Sequence, residues 1–120
     1  MTETRGRLWP ARLAAVVGGD TFDVVLDLGL GIAERRRMRV AGVNAPEAGT
    51  VAGKLARAAA IVWLSDGAPL VVEEIGVDRV GRLLGHVRNA VAQSWGEVLI
   101  ARGLAVPHGD GGSARTGGVT

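Results

Sequence analysis

Hydrophobic and polar residues alternate along the first third of the chain, which is typical of strands with one buried face. In residues 21–30, TFDVVLDLGL, every second position is apolar, and Asp23 and Asp27 fall on the opposite face. Residues 11–17, ARLAAVV, and 35–43, RRRMRVAGV, predict strands before and after it, separated by turns at GGDT and GLGIAE. Three consecutive strands joined by short turns predict an antiparallel meander.

The period changes after the loop NAPEAGT. Residues 51–67, VAGKLARAAAIVWLSDG, carry apolar residues at helical spacing, and Gly67 is a plausible helix end. The predicted buried stripe consists of Leu55, Ala58, Ala59, Val62 and Trp63.

The second half of the chain predicts two further strands and a second helix. The strands are PLVVEEI, residues 69–75, and RLLGHVRNAV, residues 82–91. SWGE fits a capping box with Ser94 at the N-cap and Glu97 at N3, so a helix should run to about Arg102.

The resulting order β-β-β-α-β-β-α indicates an α+β, mainly β fold. It matches a five-stranded Greek-key barrel of the OB type with two helices, and such barrels commonly bind nucleic acids. We expect one domain over residues 1–107, followed by a Gly-rich, flexible tail over 108–120.

Composition narrows the class of protein. With 120 residues and 48% hydrophobic content, the chain can form one domain with one core. It has no cysteine, which excludes disulfides and thiolate metal sites. No apolar run approaches the ~20 residues of a membrane span, and no signal peptide is visible. We therefore expect an intracellular, cytoplasmic monomer that does not engage a membrane.

Arginine dominates the basic residues, with 13 arginines and one lysine. The planar guanidinium suits phosphate, but a GC-rich coding bias explains such a composition equally well, so only placed arginines are informative. In an extended strand Arg37 shares a face with Arg39 and could continue a basic track beside it, to be tested through salt-dependent DNA binding. Arg35 is on the same face, although we expect Arg35 and Arg36 to belong to a solvated hairpin tip.

Four short motifs carry the candidate chemistry, and each alone is an ordinary turn or surface segment. They are GGDT with Asp20, RVAGVNAPE with Arg39, Asn44 and Glu47, DRVGR with Asp78 and Arg82, and GLA at residues 103–105. Together and in this order, over residues 11–106, they resemble the staphylococcal nuclease (thermonuclease) family.

The resemblance implies a calcium-dependent phosphodiesterase that acts on DNA and RNA and leaves 3′-phosphate ends. By position, Asp20, Asn44 and the backbone carbonyl of Ala45 would be Ca²⁺ ligands. Glu47 would be the general base or the residue that orients the attacking water. The scissile phosphate would be clamped by Arg39 and Arg82. Arg37 and Arg79 are further candidates for substrate contacts that do not come from the resemblance: Arg37 shares the strand face of Arg39, and Arg79 could partly replace a tyrosine contact of the family.

This sequence departs from the family pattern at three points. Asn44 replaces a carboxylate, which should weaken calcium binding because affinity follows ligand charge. There is no tyrosine, and Val80 stands where the family has one beside Arg79. The third, C-terminal helix of well-studied family members has no counterpart in the segment HGDGGSARTGGVT, residues 108–120. A non-enzymatic OB module that binds nucleic acid and a structural domain with a vestigial site therefore stay open as rival interpretations.

Overall fold

The computed structural model describes residues 6–64 and 69–109. The five predicted strands and two predicted helices occur there in the predicted order, together with two short strands that were not predicted. The strands are β1 (Arg7–Gly18), β2 (Thr21–Gly29), β3 (Ile32–Val40), β4 (Val43–Asn44), β5 (Leu70–Val77), β6 (Leu83–Arg88) and β7 (Val106–Pro107). The helices are α1 (Val51–Leu64) and α2 (Trp95–Ala101).

Five of the strands close into a barrel in the order β1-β2-β3-β6-β5. Neighbours are antiparallel except β3 and β6, which pair in parallel from Met38–Leu83 to Val40–Gly85. The antiparallel meander of β1, β2 and β3 is confirmed, as is the α+β, mainly β barrel of OB type. No helix within residues 6–64 and 69–109 has both the length and the apolarity to cross a membrane.

The core lies inside the barrel and under α2, and it follows from the period-2 alternation. The inward residues of β2, β3, β5 and β6 are Phe22, Val24, Leu26, Met38, Val40, Leu70, Val72, Leu83 and Val87. Trp95 is fully buried beside them, with its ring centroid 5.1 Å from that of Trp63. The Trp95 Nε1–H donates to the carbonyl of Gly19 at 2.8 Å, which connects α2 to the turn after β1.

The predicted apolar stripe of α1 is wrong for Leu55, Ala58 and Val62, which are exposed, whereas Ala59 and Trp63 pack against the core. Leu55 is 61% exposed and Val62 is 74% exposed, whereas the buried row consists of Gly53, Ala56, Ala60 and Leu64. Because α1 is apolar around most of its circumference, helical periodicity fits more than one face. The face with the smallest side chains packs inward since it allows the closest approach to the barrel. Trp63 is half-buried against the core as expected, and Gly67 lies outside the described residues.

Helix α2 begins and ends where predicted, but without the capping box. Ser94 is the N-cap with extended backbone, yet its side chain makes no capping hydrogen bond. Ser94 is buried and forms a β-bridge with Arg88, so packing fixes this helix start. At the other end Arg102 is the C-cap and Gly103 takes a left-handed φ of 70°, as glycine does after a helix.

A small second sheet, absent from the sequence prediction, joins β4 to β7. The third strand ends at Val40 rather than Val43, because the chain turns at Gly42 with a φ of 81°. Asn44 then pairs with Val106, and the His108 N–H donates to the Gly42 carbonyl at 2.9 Å. This pairing holds the segment after GLA against the loop that carries Asn44. The predicted tail is described only to residue 109.

Candidate functional site

One cleft of about 420 Å³ lies where the turn after β1, the end of β3 and the loop after β4 meet. Seven of the eight residues that the sequence analysis placed in a site line it: Asp20, Arg37, Arg39, Asn44, Ala45, Glu47 and Arg82. The eighth, Arg79, lies in a neighbouring cleft. The barrel therefore brings together residues that are up to 62 positions apart in the chain.

Asp20 connects two loops of this cleft. Its Oδ2 accepts a hydrogen bond from the backbone N–H of Ala45 at 2.9 Å, and its Oδ1 accepts one from the Thr21 hydroxyl at 3.0 Å. Its own carbonyl accepts from the N–H of Val40 at 2.9 Å. Asp20 thus does more than form a turn, because its side chain fixes the loop that follows β4.

Arg39 is the most deeply placed cation of the cleft, with 11% of its side chain exposed. Nη2 donates to the Val43 carbonyl at 2.9 Å and to Asn44 Oδ1 at 3.3 Å, and Nη1 contacts the Val40 carbonyl at 3.5 Å. Nη2 also lies 3.8 Å from Asp20 Oδ2. The guanidinium is held in one orientation, so its positive charge has a fixed position in the cleft.

Arg82 is held by Asp78 in the turn between β5 and β6. Asp78 Oδ1 accepts from the backbone N–H groups of Val80 and Arg82, and Oδ2 accepts from Arg82 Nε at 2.6 Å. Burial opposes ionisation of Asp78, but the hydrogen bonds from Arg82 and Val80, with the charge of Arg82, together lower the pKa of the carboxyl. The ion pair engages Nε, so Nη1 and Nη2 can still point a donor pair at a ligand.

Glu47 combines a fixed backbone with an exposed side chain. Its carbonyl accepts from the N–H and the hydroxyl of Thr50 at 3.0 and 2.7 Å. The Thr50 hydroxyl in turn accepts from the N–H of Gly53 at 2.9 Å, in the manner of an N-cap for α1. Within the described residues no hydrogen bond or ion pair engages the Glu47 carboxylate. The carboxylate is therefore free to hold a water molecule.

Gly53 sets the distance between α1 and the Glu47 loop. A Cβ at this position would overlap the Glu47 carbonyl, so we expect Gly53→Ala to lower the free energy of unfolding by about 1–3 kcal/mol through overpacking. Chemical denaturation measures the change. Gly49→Ala is the matched control because a Cβ there meets open space. Equal stabilities of the two variants would contradict this account of the loop.

Arg37 reaches the cleft from β3 and is held by Asp23 on β2. Arg37 Nε donates to Asp23 Oδ1 at 2.8 Å, and Arg35 Nη2 donates to Oδ2 at 3.0 Å. The hydrogen bond from Arg37, and then that from Arg35, lowers the pKa of the Asp23 carboxyl below its ordinary value. Arg35 is therefore part of an ion-pair cluster rather than a solvated hairpin tip.

The lowered pKa of Asp23 predicts a pH-dependent contribution to stability. The pKa of Asp23 in the folded protein lies below its value of about 3.9 in the unfolded chain. The ionised carboxylate therefore contributes its full stabilisation above about pH 3.9, and this stabilisation is lost as the pH falls through the folded pKa. We expect Asp23→Asn to lower Tm at neutral pH, and the difference from wild type to shrink below the ordinary aspartate pKa. Thermal unfolding across this range tests it, with Asp27→Asn as a control for the loss of one charge. A constant difference in Tm would contradict the assignment.

A second cleft of about 340 Å³ adjoins the first and shares Arg39 and Arg82 with it. Arg79, Val80 and His108 line its other side. The only other histidine of the sequence is His86, so no histidine spacing marks His108 as a site residue. Its place beside the arginines depends on the pairing of β4 with β7, which no local sequence pattern predicts.

The oxygen donors of the cleft lie around the guanidinium of Arg39. Asp20 Oδ2 lies 3.8 Å and Asn44 Oδ1 lies 3.3 Å from Arg39 Nη2, and Asp20 keeps lone pairs beyond its two hydrogen bonds. Among the described residues, no group of three or more His, Cys, Asp or Glu side chains is arranged to hold a metal ion. The donors that the cleft does offer, a carboxylate, an amide oxygen and backbone carbonyls, are of the oxygen type that Ca²⁺ takes.

Comparison with known proteins leaves the family of the chain open. A scan against protein-family models gave no match. A search of curated proteins found no significant match. A functional assignment therefore rests on the residues of the cleft themselves.

Proposed function

We propose that the protein is a calcium-dependent nuclease that hydrolyses phosphodiester bonds of DNA or RNA by attack of water. The observation that carries the proposal is the position of an exposed carboxylate, Glu47, in one cleft with two oriented guanidinium groups, those of Arg39 and Arg82. A site that only bound phosphate would have no use for an exposed carboxylate there.

Arg39 and Arg82 would bind the non-bridging oxygens of the scissile phosphate. Charge builds on these oxygens as the phosphorane-like transition state forms, and donors that are already oriented stabilise it without reorganisation. Burial of Arg39 strengthens this interaction, because field screening is weaker away from bulk water.

Glu47 would position the attacking water and accept its proton. The water oxygen forms the new bond to phosphorus, the bond to the leaving 5′ oxygen breaks, and that oxygen takes a proton from solvent. The products expected from the resemblance are a 3′-phosphate and a 5′-hydroxyl. When bound to Asp20, Asn44 and the Ala45 carbonyl, Ca²⁺ would supply further positive charge at the phosphate.

The direct test is incubation of the purified protein with single-stranded DNA, plasmid DNA and RNA, in calcium or in excess chelator. We expect cleavage in calcium only, with 3′-phosphate ends. Full activity in excess chelator would contradict the calcium dependence, and no cleavage of any substrate would contradict the assignment as a hydrolase.

A change of Asn44 to Asp is expected to strengthen calcium binding several-fold. The substitution adds a negative charge to a donor set that otherwise relies on Asp20, and calcium affinity rises with ligand charge. Titration calorimetry with Ca²⁺ measures the effect. Asn89→Asp adds the same charge in the turn after β6 and serves as the control. Unchanged calcium affinity in Asn44→Asp would show that this side chain is not a ligand.

The second candidate is an OB module that binds nucleic acid and cleaves it weakly or not at all. It is favoured by the neutral Asn44, whose Oδ1 already accepts a hydrogen bond from Arg39. Retention of an oligonucleotide without cleavage in calcium would select this alternative.

A further inference from the structure

We infer that the outer face of β2 and β3 carries a polynucleotide strand away from the cleft, with Arg37 and Arg35 binding phosphates next to the one held by Arg39. The inference rests on the proposed function and extends it to the length of the substrate. It concerns a second contact region, outside the residues that would act on the scissile bond.

The register of the two strands places these arginines in one row. Arg39, Arg37 and Arg35 alternate along β3 and lie opposite Thr21, Asp23 and Val25 of β2. Alternate residues of a strand share a face and are about 6.6–6.8 Å apart. That separation is comparable with the distance between successive phosphates of an extended nucleic-acid strand.

Asp23 fixes the two outer arginines while leaving them accessible. The Asp23 side chain is 10% exposed and engages both guanidinium groups, whereas the side chains of Arg35 and Arg37 stay 60% and 53% exposed. One arginine would be enough to neutralise Asp23, so the cluster keeps a net positive charge toward solvent. Arginines already held in place lose less conformational entropy when they bind a phosphate.

The row is continuous with the cleft and has a defined end. Arg37 lines the cleft together with Arg39 and Glu47. On the far side of Arg35 the same face continues to Asp27, opposite Ala33, where a carboxylate would repel a phosphate. The row therefore fits two phosphates beyond the scissile one, and a dinucleotide would be too short to reach its end.

Salt-dependent binding of an oligonucleotide in chelator tests the inference without requiring cleavage. The probe is a single strand of about 16 nucleotides, the upper site size of an OB fold. For Arg35→Ala/Arg37→Ala we expect weaker binding and a slope of log K against log salt reduced by about 0.7 per arginine removed. Arg7→Ala, on the part of β1 that pairs with β5, removes one exposed arginine elsewhere and should keep the slope. An unchanged slope in the double variant overturns the inference.

Two further measurements separate this inference from the proposed function and from misfolding. Arg35→Gln/Arg37→Gln removes the charges but keeps donors for Asp23, so a folded protein with a reduced slope is expected even where the alanine variant is unstable. If the wild type cleaves in calcium, we expect the glutamine double variant to lose activity mainly on the longer substrate. The ratio of kcat/KM for the oligonucleotide to kcat/KM for a dinucleotide should then be several-fold lower in this variant than in the wild type. Binding that depends on Arg35 and Arg37 but is not followed by cleavage would support the arginine row and overturn the proposed hydrolase. If the wild-type protein binds no oligonucleotide, the inference about the row is overturned.

Discussion

Replacement of Glu47 by glutamine is expected to slow calcium-dependent cleavage by about 10²–10⁴-fold, the usual contribution of a general base. Glutamine keeps the size of the side chain and can still contact water, but it cannot accept the proton. The fold should be unaffected, because the contacts to Thr50 use only the backbone carbonyl of Glu47. Single-turnover cleavage of a labelled oligonucleotide, with enzyme in excess, measures the chemical step.

The matched control is Glu34→Gln, which removes an exposed carboxylate from β3 outside the cleft. It should cleave at the wild-type rate. Oligonucleotide affinity in chelator should not fall in Glu47→Gln, since the substitution removes a negative charge. Wild-type turnover by a folded Glu47→Gln protein would exclude Glu47 as the base.

Replacement of Arg39 by lysine is expected to lower turnover by about 10²–10³-fold, as when one oriented transition-state donor is removed. Lysine keeps the charge but is a single ammonium group on a flexible stem. It cannot reproduce the contacts of the guanidinium with the carbonyls of Val40 and Val43 and with Asn44 Oδ1, which fix the position of the positive charge in the cleft. The largest loss should therefore appear in kcat rather than in oligonucleotide affinity.

Arg88→Lys is the control for this change, because Arg88 pairs with Glu73 at 3.0 Å and does not line the cleft. Thermal unfolding in parallel shows whether the Arg39 variant remains folded. If it does not, Arg82→Lys carries the same prediction at a more exposed position. Wild-type kcat in a folded Arg39→Lys or Arg82→Lys protein would contradict the clamp.

Local patterns were sufficient to predict the barrel. Period-2 alternation in residues 21–30 is imposed by a strand with one buried face, and the buried Phe22 and Val24 lie where it places them. The meander and the helix between the third and fourth barrel strands follow from turn chemistry and a change of period. These features depend on residues that are close together in the sequence, so the sequence of this one chain is enough to predict them.

Features set by distant residues were not predictable. The buried face of α1 depends on how closely Ala56 can approach Gly19, which hydrophobicity alone does not encode. The contact of Arg35 with Asp23 depends on strand register, and the position of His108 on the pairing of β4 with β7. The motif order did indicate which residues could share a cleft, but not that Arg79 would line the adjoining one.

The hydrogen bond between Trp95 and Gly19 gives the protein an intrinsic optical reporter. With no tyrosine in the chain, its ultraviolet fluorescence arises mainly from three tryptophans. Trp95 is enclosed in the core and bonded to the residue that precedes Asp20, while Trp9 donates to Glu74 on β5. A ligand that shifts the turn at Asp20 should change the emission of Trp95. Binding in the cleft could then be followed without a label, and Trp95→Phe would remove the signal.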